Sequence, residues 1–185
     1  KIRFVQFARE HGIPFLGLCY GFQLAVVEFA RNVCGLERAN HTEVDPDSDT
    51  PVIYLLPEQR KLSGMGGTMR LGGQDVKIKR STMAYKCYKT ELAVERFRHR
   101  YEFNNEYKDV IEGKGMIFSG MTPDEDIMQI LEIPEHPFFM ASQFHPELTS
   151  RPYHANPLFQ EFVKACRIYG EEAEDVKQQS AEKVG

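Results

Sequence analysis

Residues 14–23 read Pro-Phe-Leu-Gly-Leu-Cys-Tyr-Gly-Phe-Gln, and this stretch organises the rest of the chain. A short apolar run up to Leu18 predicts a strand. The almost wholly apolar segment from Phe22 to Val33 predicts a buried helix. Between them stands Gly17-Leu18-Cys19-Tyr20-Gly21, the order of a nucleophile elbow with cysteine where hydrolases carry serine. A nucleophile raised on such a turn is held in a strained conformation, and neighbours without a Cβ let the backbone pass closely. The turn also sets Cys19 at a helix N-terminus, where the dipole and free N–H groups favour the thiolate. A buried cysteine between packing glycines would give the same five letters, so the elbow needs a partner.

That partner lies near the other end of the chain. The sequence Phe-Phe-Met-Ala-Ser-Gln-Phe-His-Pro-Glu over residues 138–147 is an apolar strand that stops abruptly at His145-Pro146-Glu147. The proline ends the strand and stiffens the turn. A histidine at a strand end with a carboxylate two residues on supplies a base and the group that orients it. Cys19, His145 and Glu147 together form a candidate Cys-His-Glu triad.

The rest of the chain sets limits. Its 185 residues fit one domain, long enough to bury roughly 70% of its unfolded surface. A net charge of −4 argues against a broad nucleic-acid footprint. No apolar run approaches the ~20 residues that span a bilayer, and charged Arg9 and Glu10 interrupt any signal-peptide core. The four cysteines lack metal-ligand spacing, so no metal site is expected. They are also too few for a disulfide scaffold, which points to a reduced, cytoplasmic setting. Cys34 and Cys166 lie in apolar helical patterns and read as core thiols; Cys87 has no evident place.

Helices are predicted over residues 2–11, 20–34, 104–112 and 157–169, with Gly12 and Gly35 as stops after the first two. Strands are predicted over 13–18, 52–55, from Val76 to Arg80, and over 116–120, 127–133 and 138–144. Residues 40–51 read as a polar loop. Residues 63–73 hold five glycines without a Walker pattern and read as a flap over a site. The segment 94–103 packs three arginines and a histidine beside Tyr101 and Phe103, which suits one Arg pairing a carboxylate better than a nucleic-acid patch. From Glu171 the tail holds five acids and two lysines and is expected to fray as a flexible charged end, leaving residues 1–170 as the domain. The chain opens inside a helix and so reads as a piece of something longer. The fold class expected is α/β: a mostly parallel central sheet flanked by helices, with an antiparallel extension in the second half.

Gly-Leu-Cys-Tyr-Gly-Phe-Gln (17–23) with a downstream Gln-Phe-His-Pro-Glu (143–147) resembles the class I, or triad, glutamine amidotransferase family. Further motifs narrow the resemblance to the C-terminal glutaminase domains of CTP synthases: Val-Val-Glu-Phe-Ala-Arg-Asn (26–32), Thr-Glu-Val-Asp-Pro (42–46), Gly-Gly-Thr-Met-Arg-Leu-Gly (66–72) and Arg-His-Arg-Tyr-Glu (98–102). The resemblance implies a flavodoxin-like fold and hydrolysis of the L-glutamine amide. Cys19 would be the nucleophile, His145 the acid and base, Glu147 the orienter, and the Tyr20 N–H an oxyanion donor. Gln23, Glu43 and Arg100 would hold the amino-acid end of glutamine. It implies a lid over residues 66–72 and a glycine-rich oxyanion loop upstream of residue 1. It also implies an amidoligase domain of the same full-length chain that uses ATP, Mg and UTP, a homotetramer, and GTP as an allosteric activator. No cofactor is expected in the residues at hand. Three other readings remain: the glutaminase of a different amidotransferase or a γ-glutamyl hydrolase, a regulatory module that keeps the fold without turnover, and a plain α/β domain in which the cysteine and His-Pro-Glu are coincidental. The glycine-rich and Arg-His-Arg motifs speak against the first, and the complete triad against the second.

Overall fold

The computed structural model describes residues 1–55 and 69–182, with side chains to residue 175. The elbow strand β1 (Phe15–Leu18) is followed directly by helix α2 (Tyr20–Asn32), and helix α1 (Ile2–Glu10) precedes them. Nine successive residues of α2, from Phe22 to Ala30, are buried, as its apolar composition requires. Gly35, at φ +74°, turns the chain away beyond the helix end.

Two sheets form among the described residues. The larger runs β1-β9-β8-β7-β4-β5, with β4 at Arg70–Ile78, β5 at Leu92–His99, β7 at Ile117–Met121, β8 at Met128–Glu132 and β9 at Phe139–Ser142. The smaller runs β2-β3-β6, from Asn40–His41, Pro51–Leu55 and Tyr101–Phe103. Helices α3 (Met83–Tyr88), α4 (Lys108–Glu112) and α5 (Pro157–Glu182) complete the set.

The α/β architecture agrees with expectation, but the proportion of parallel pairing does not. In the larger sheet β1 pairs β9 in parallel, and the other four neighbours are antiparallel. The connections explain the difference. Residues 122–127 and 133–138 are too short for the crossover that a parallel pair demands, so β7, β8 and β9 fold back on one another.

Strand alternation feeds two cores. Phe139 and Ala141 face a cluster with Val5, Phe22 and Ala25 of α1 and α2, while Phe138 and Met140 face one with Ala84, Cys87 and Leu158 of α3 and α5. Helices therefore cover both faces of the sheet that carries the elbow. Two buried carboxylates tie layers together. Glu28 of α2 takes three hydrogen bonds from Arg9 of α1, at 2.8, 3.0 and 3.3 Å, and one from Asn32 at 3.0 Å. Glu132 accepts the N–H groups of Met83 and Ala84 at 2.8 and 2.9 Å and so holds the start of α3.

Several local expectations need correction. Residues 70–73, read as part of a flap, form the start of β4 and pair with Arg96 to His99 of β5; residues 63–68 lie outside the described residues. Glycines at 72 and 73 are tolerated because an antiparallel neighbour fixes the backbone through its hydrogen bonds. Helix α5 continues to Glu182 rather than stopping near residue 169. Its glutamates, glutamines and alanines are strong helix formers, and Arg167 pairs with Glu171 one turn on. Cys166 is exposed on that helix and Cys34 is half-buried, whereas Cys87 is the core thiol. All four cysteines are free. Among the described residues no helix is long and apolar enough to cross a membrane.

Candidate active site

Cys19 sits between β1 and α2 at φ 49°, ψ −99°. A non-glycine residue in that region carries about 1–3 kcal/mol of strain, which the surrounding structure must hold. The holding is visible. The Cys19 N–H donates to Ser142 O at 2.7 Å, and its carbonyl accepts from Gln23 at 3.2 Å in the first turn of α2. Gly17 makes the turn possible, because a Cβ there would meet the Gly21 backbone at 2.9 Å and Ala141 at 3.0 Å. A Cβ on Gly21 would meet nothing within 4 Å, so of the two glycines the close approach requires only Gly17.

The thiol does not behave as its helix terminus alone predicts. Burial pushes the Cys19 pKa up, with further upward pressure from Glu147 and Glu102, while the Tyr20 backbone N–H and the Gln143 amide pull it down. The balance lies above the ordinary thiol value, so the resting group is a thiol that needs a base. The dipole argument failed because the desolvation of a half-buried sulfur outweighs it.

His145 follows β9, and its N–H donates to Arg96 O of β5 at 2.8 Å. Its Nδ1 stands 2.6 Å from Glu147 Oε1, the orienting contact that the His-Pro-Glu spacing predicts. With Nδ1 occupied, Nε2 remains closed off from solvent and without a hydrogen-bond partner among the described residues. The segment after His145 is anchored by a buried carboxylate. Glu95 of β5 accepts from Tyr88 Oη at 2.6 Å, Thr149 Oγ1 at 3.0 Å and Asn156 Nδ2 at 2.6 Å. Nothing in the spacing of Glu95 marks this role, since its partners lie 7, 54 and 61 residues away.

A cavity of about 250 Å³ opens beside Cys19 and brings in Tyr20, Gln23, Glu43 and Arg100. Five of the seven residues singled out from the sequence thus share one cavity wall. His145 and Glu147 stand outside that wall. Met69, Arg98, His99 and Tyr101 complete the lining and were not singled out; the Arg-rich composition of residues 94–103 was the signal that could have found three of them. Glu43 is exposed and has no ion-pair partner among the described residues. Gln23, in contrast, is buried, and both of its amide hydrogens are committed, to Tyr101 O at 3.0 Å and Gln143 Oε1 at 3.2 Å. The buried Glu102, within the arginine-rich segment, pairs with Arg70 from β4 at 3.1 Å and also meets His99 Nε2 at 2.7 Å. A larger hollow of about 490 Å³ beside α1 contains neither cysteine nor serine in its lining.

A strained cysteine stands on a strand-to-helix turn, and a carboxylate-oriented histidine follows the neighbouring parallel strand; these are the residue types that nucleophilic thiol chemistry requires. Residues 1–165 match the family model described as glutamine amidotransferase class-I, and the chain belongs to that family. Among curated proteins it is 56% identical over 165 residues to the CTP synthase of Caldanaerobacter subterraneus subsp. tengcongensis, covering 89% of this chain and 31% of that protein. It is likewise 56% identical over 174 residues to the CTP synthase of Archaeoglobus fulgidus, covering 94% of this chain and 33% of that one. The chain therefore spans about a third of the length of the curated relatives it matches. A solved glutaminase domain of the Trypanosoma brucei CTPS, with bound acivicin, superimposes with a TM-score of 0.85 at 35% identity, over 90% of this chain and 64% of that one.

Proposed function

We propose that this chain is the glutaminase portion of a CTP synthase, hydrolysing the side-chain amide of L-glutamine through Cys19, His145 and Glu147. The observation that carries the reading is the strained Cys19 opening into a cavity with Glu43 and Arg100 on its wall. His145 Nε2, the ring nitrogen left over by the Glu147 contact, removes the Cys19 proton, and the sulfur attacks the amide carbon. The developing oxyanion is met by the Tyr20 N–H at the start of α2. As the C–N bond breaks, His145 returns its proton to the leaving nitrogen and ammonia departs, leaving a glutamyl thioester on Cys19. Water, deprotonated by the same imidazole, attacks the thioester; glutamate leaves and the thiol is restored. Glu147 keeps the imidazole in register and offsets its transient charge.

Glu43 supplies the anionic partner for the substrate ammonium, and Arg100 the cationic partner for its carboxylate. In the whole enzyme the ammonia passes to an amidoligase domain that aminates UTP with ATP and Mg. The homotetramer and activation by GTP belong to that same proposal, with no residue of this chain assigned to either.

The test is glutamate release from glutamine. Cys19→Ala should abolish it, and His145→Ala and Glu147→Gln should lower kcat by about 10²- to 10⁴-fold. Turnover that survives Cys19→Ala would overturn the reading.

A further inference from the structure

A line of buried side chains runs from the Glu43 backbone to the Cys19 sulfur, and every hydrogen bond in it points the same way. The Glu43 N–H donates to His41 Nδ1 at 3.0 Å. His41 Nε2 lies 2.9 Å from Gln23 Oε1, Gln23 Nε2 lies 3.2 Å from Gln143 Oε1, and Gln143 Nε2 lies 3.7 Å from Cys19 Sγ. His41 is 1%, Gln23 4% and Gln143 0% exposed, so water does not compete for these groups.

The direction of this line is dictated rather than chosen. A backbone N–H can only donate, so His41 Nδ1 is the acceptor and the ring proton sits on Nε2. The Gln23 atom facing that proton must then be its oxygen. Independently, the Tyr101 carbonyl can only accept, and it lies 3.0 Å from the Gln23 nitrogen. Two backbone groups, on the segment after β2 and on β6, thus fix the Gln23 amide by separate arguments. A Gln23 N–H facing Gln143 requires the Gln143 oxygen there, which turns the Gln143 amide nitrogen toward the sulfur.

We propose that Gln143 stabilises the Cys19 thiolate as a direct N–H donor, and that Gln23 and His41 are positioning residues that lock its amide in the donating orientation. The proposal rests on the glutaminase reading for its role in catalysis and deepens it. Without the lock, a free glutamine amide would present its oxygen to the sulfur about as readily as its nitrogen, and an oxygen would repel the thiolate. The donor also opposes the carboxylates: Glu147 and Glu102 both disfavour the thiolate, and Glu102 is itself held by Arg70 and His99. Burial lowers the His41 pKa to about 4, so the ring keeps the single-proton state that the line needs throughout the neutral range. The rings of Tyr101 and Tyr20 pack on it, at centroid distances of 4.7 and 5.8 Å.

The experiment is the pH dependence of Cys19 alkylation by iodoacetamide, followed on the Cys19 peptide by mass spectrometry so that exposed Cys166 does not contribute. Gln143→Met keeps the shape and removes the donor; it should cut the rate at pH 7 about three- to tenfold while leaving the high-pH limit unchanged. Gln23→Glu leaves Gln143 intact but offers it only acceptors, reversing its amide, and should cut the rate at least as much. His41→Phe keeps the ring packing and should cut it about twofold or more. The double variant His41→Phe/Gln143→Met should match Gln143→Met alone, because His41 acts only through that amide. Should one substitution prevent folding, judged by circular dichroism, the others report on the same line. A Gln143→Met profile superimposable on the parent would overturn the donor role, and an additive double variant would overturn the positioning role. Alkylation needs no glutamine, so these shifts in a protein that never turns glutamine over would sink the glutaminase reading and leave the line standing.

Discussion

Cys19 is held at φ 49° by a glycine that cannot be replaced, a strand-end hydrogen bond to Ser142 and the first turn of α2. The glycine and the helix turn were legible in the five letters around it, because an elbow is a local device; the Ser142 contact, made across the sheet, was not. What surrounds the sulfur was not legible. Gln143 was visible only as the letter before Phe144 and His145, and His41 sat in a stretch read as a polar loop, although it is among the most buried histidines of the chain. Its burial has a consequence for stability. The folded ring titrates near 4 against an ordinary value of 6.5, so between these values the unfolded chain binds more protons than the folded one. Stability is therefore flat above pH 6.5 on this account and falls as pH drops toward 4, by up to about 3 kcal/mol. His136, buried against Ala8 O and the Phe138 N–H, shifts in the same direction. Urea midpoints should fall between pH 7 and pH 4.5, and His41→Phe should lessen the fall; equal midpoints in the parent at both pH values would contradict it.

At the level of elements, the strand-to-helix order at the elbow, the strands before and after residues 122–127 and the helix after Asn156 followed from apolar runs and their breakers. The pairing of Arg9 with Glu28 did not, since a charge in an apolar helix only announces that some partner exists. Glu28 is wholly buried on α2, and three of its four hydrogen bonds come from the single guanidinium of Arg9. Arg9→Ala leaves that carboxylate without its cation and should cost about 3–5 kcal/mol, read as a lowered urea midpoint. Arg9→Met combined with Glu28→Leu should recover most of the loss, because the pair then leaves no charge behind. A double variant as unstable as Arg9→Ala would show that the ion pair is not the source. The start of β4 makes the complementary point. Glycines at 72 and 73 argued for a flap by composition, but the strand they join is imposed by β5 across the ladder, which no local pattern reports.

For the whole molecule, helices flanking a central sheet were expected from the order of elements, whereas the division into two cores and the strand directions were not. Whether neighbours run parallel depends on which strands pair, and the alternation of β7 to β9 is the same in either case. The fold brings the elbow strand and the strand that leads into His145 side by side, in parallel, with Gly17 opposite Ala141 and Leu18 opposite Ser142. Residues 126 positions apart in sequence thereby reach one end of one sheet. That juxtaposition is the structural basis for the proposal that the chain is a glutaminase, and the proposed pairing with an amidoligase is motivated by its likeness to CTP synthases about three times its length. The most direct test of the central claim is mass spectrometry after treatment with an electrophilic glutamine analogue, with free glutamine as competitor. The account predicts a single adduct on Cys19, suppressed by glutamine and lost in His145→Ala. Labelling spread over Cys34, Cys87 and Cys166, and indifferent to glutamine, would contradict it.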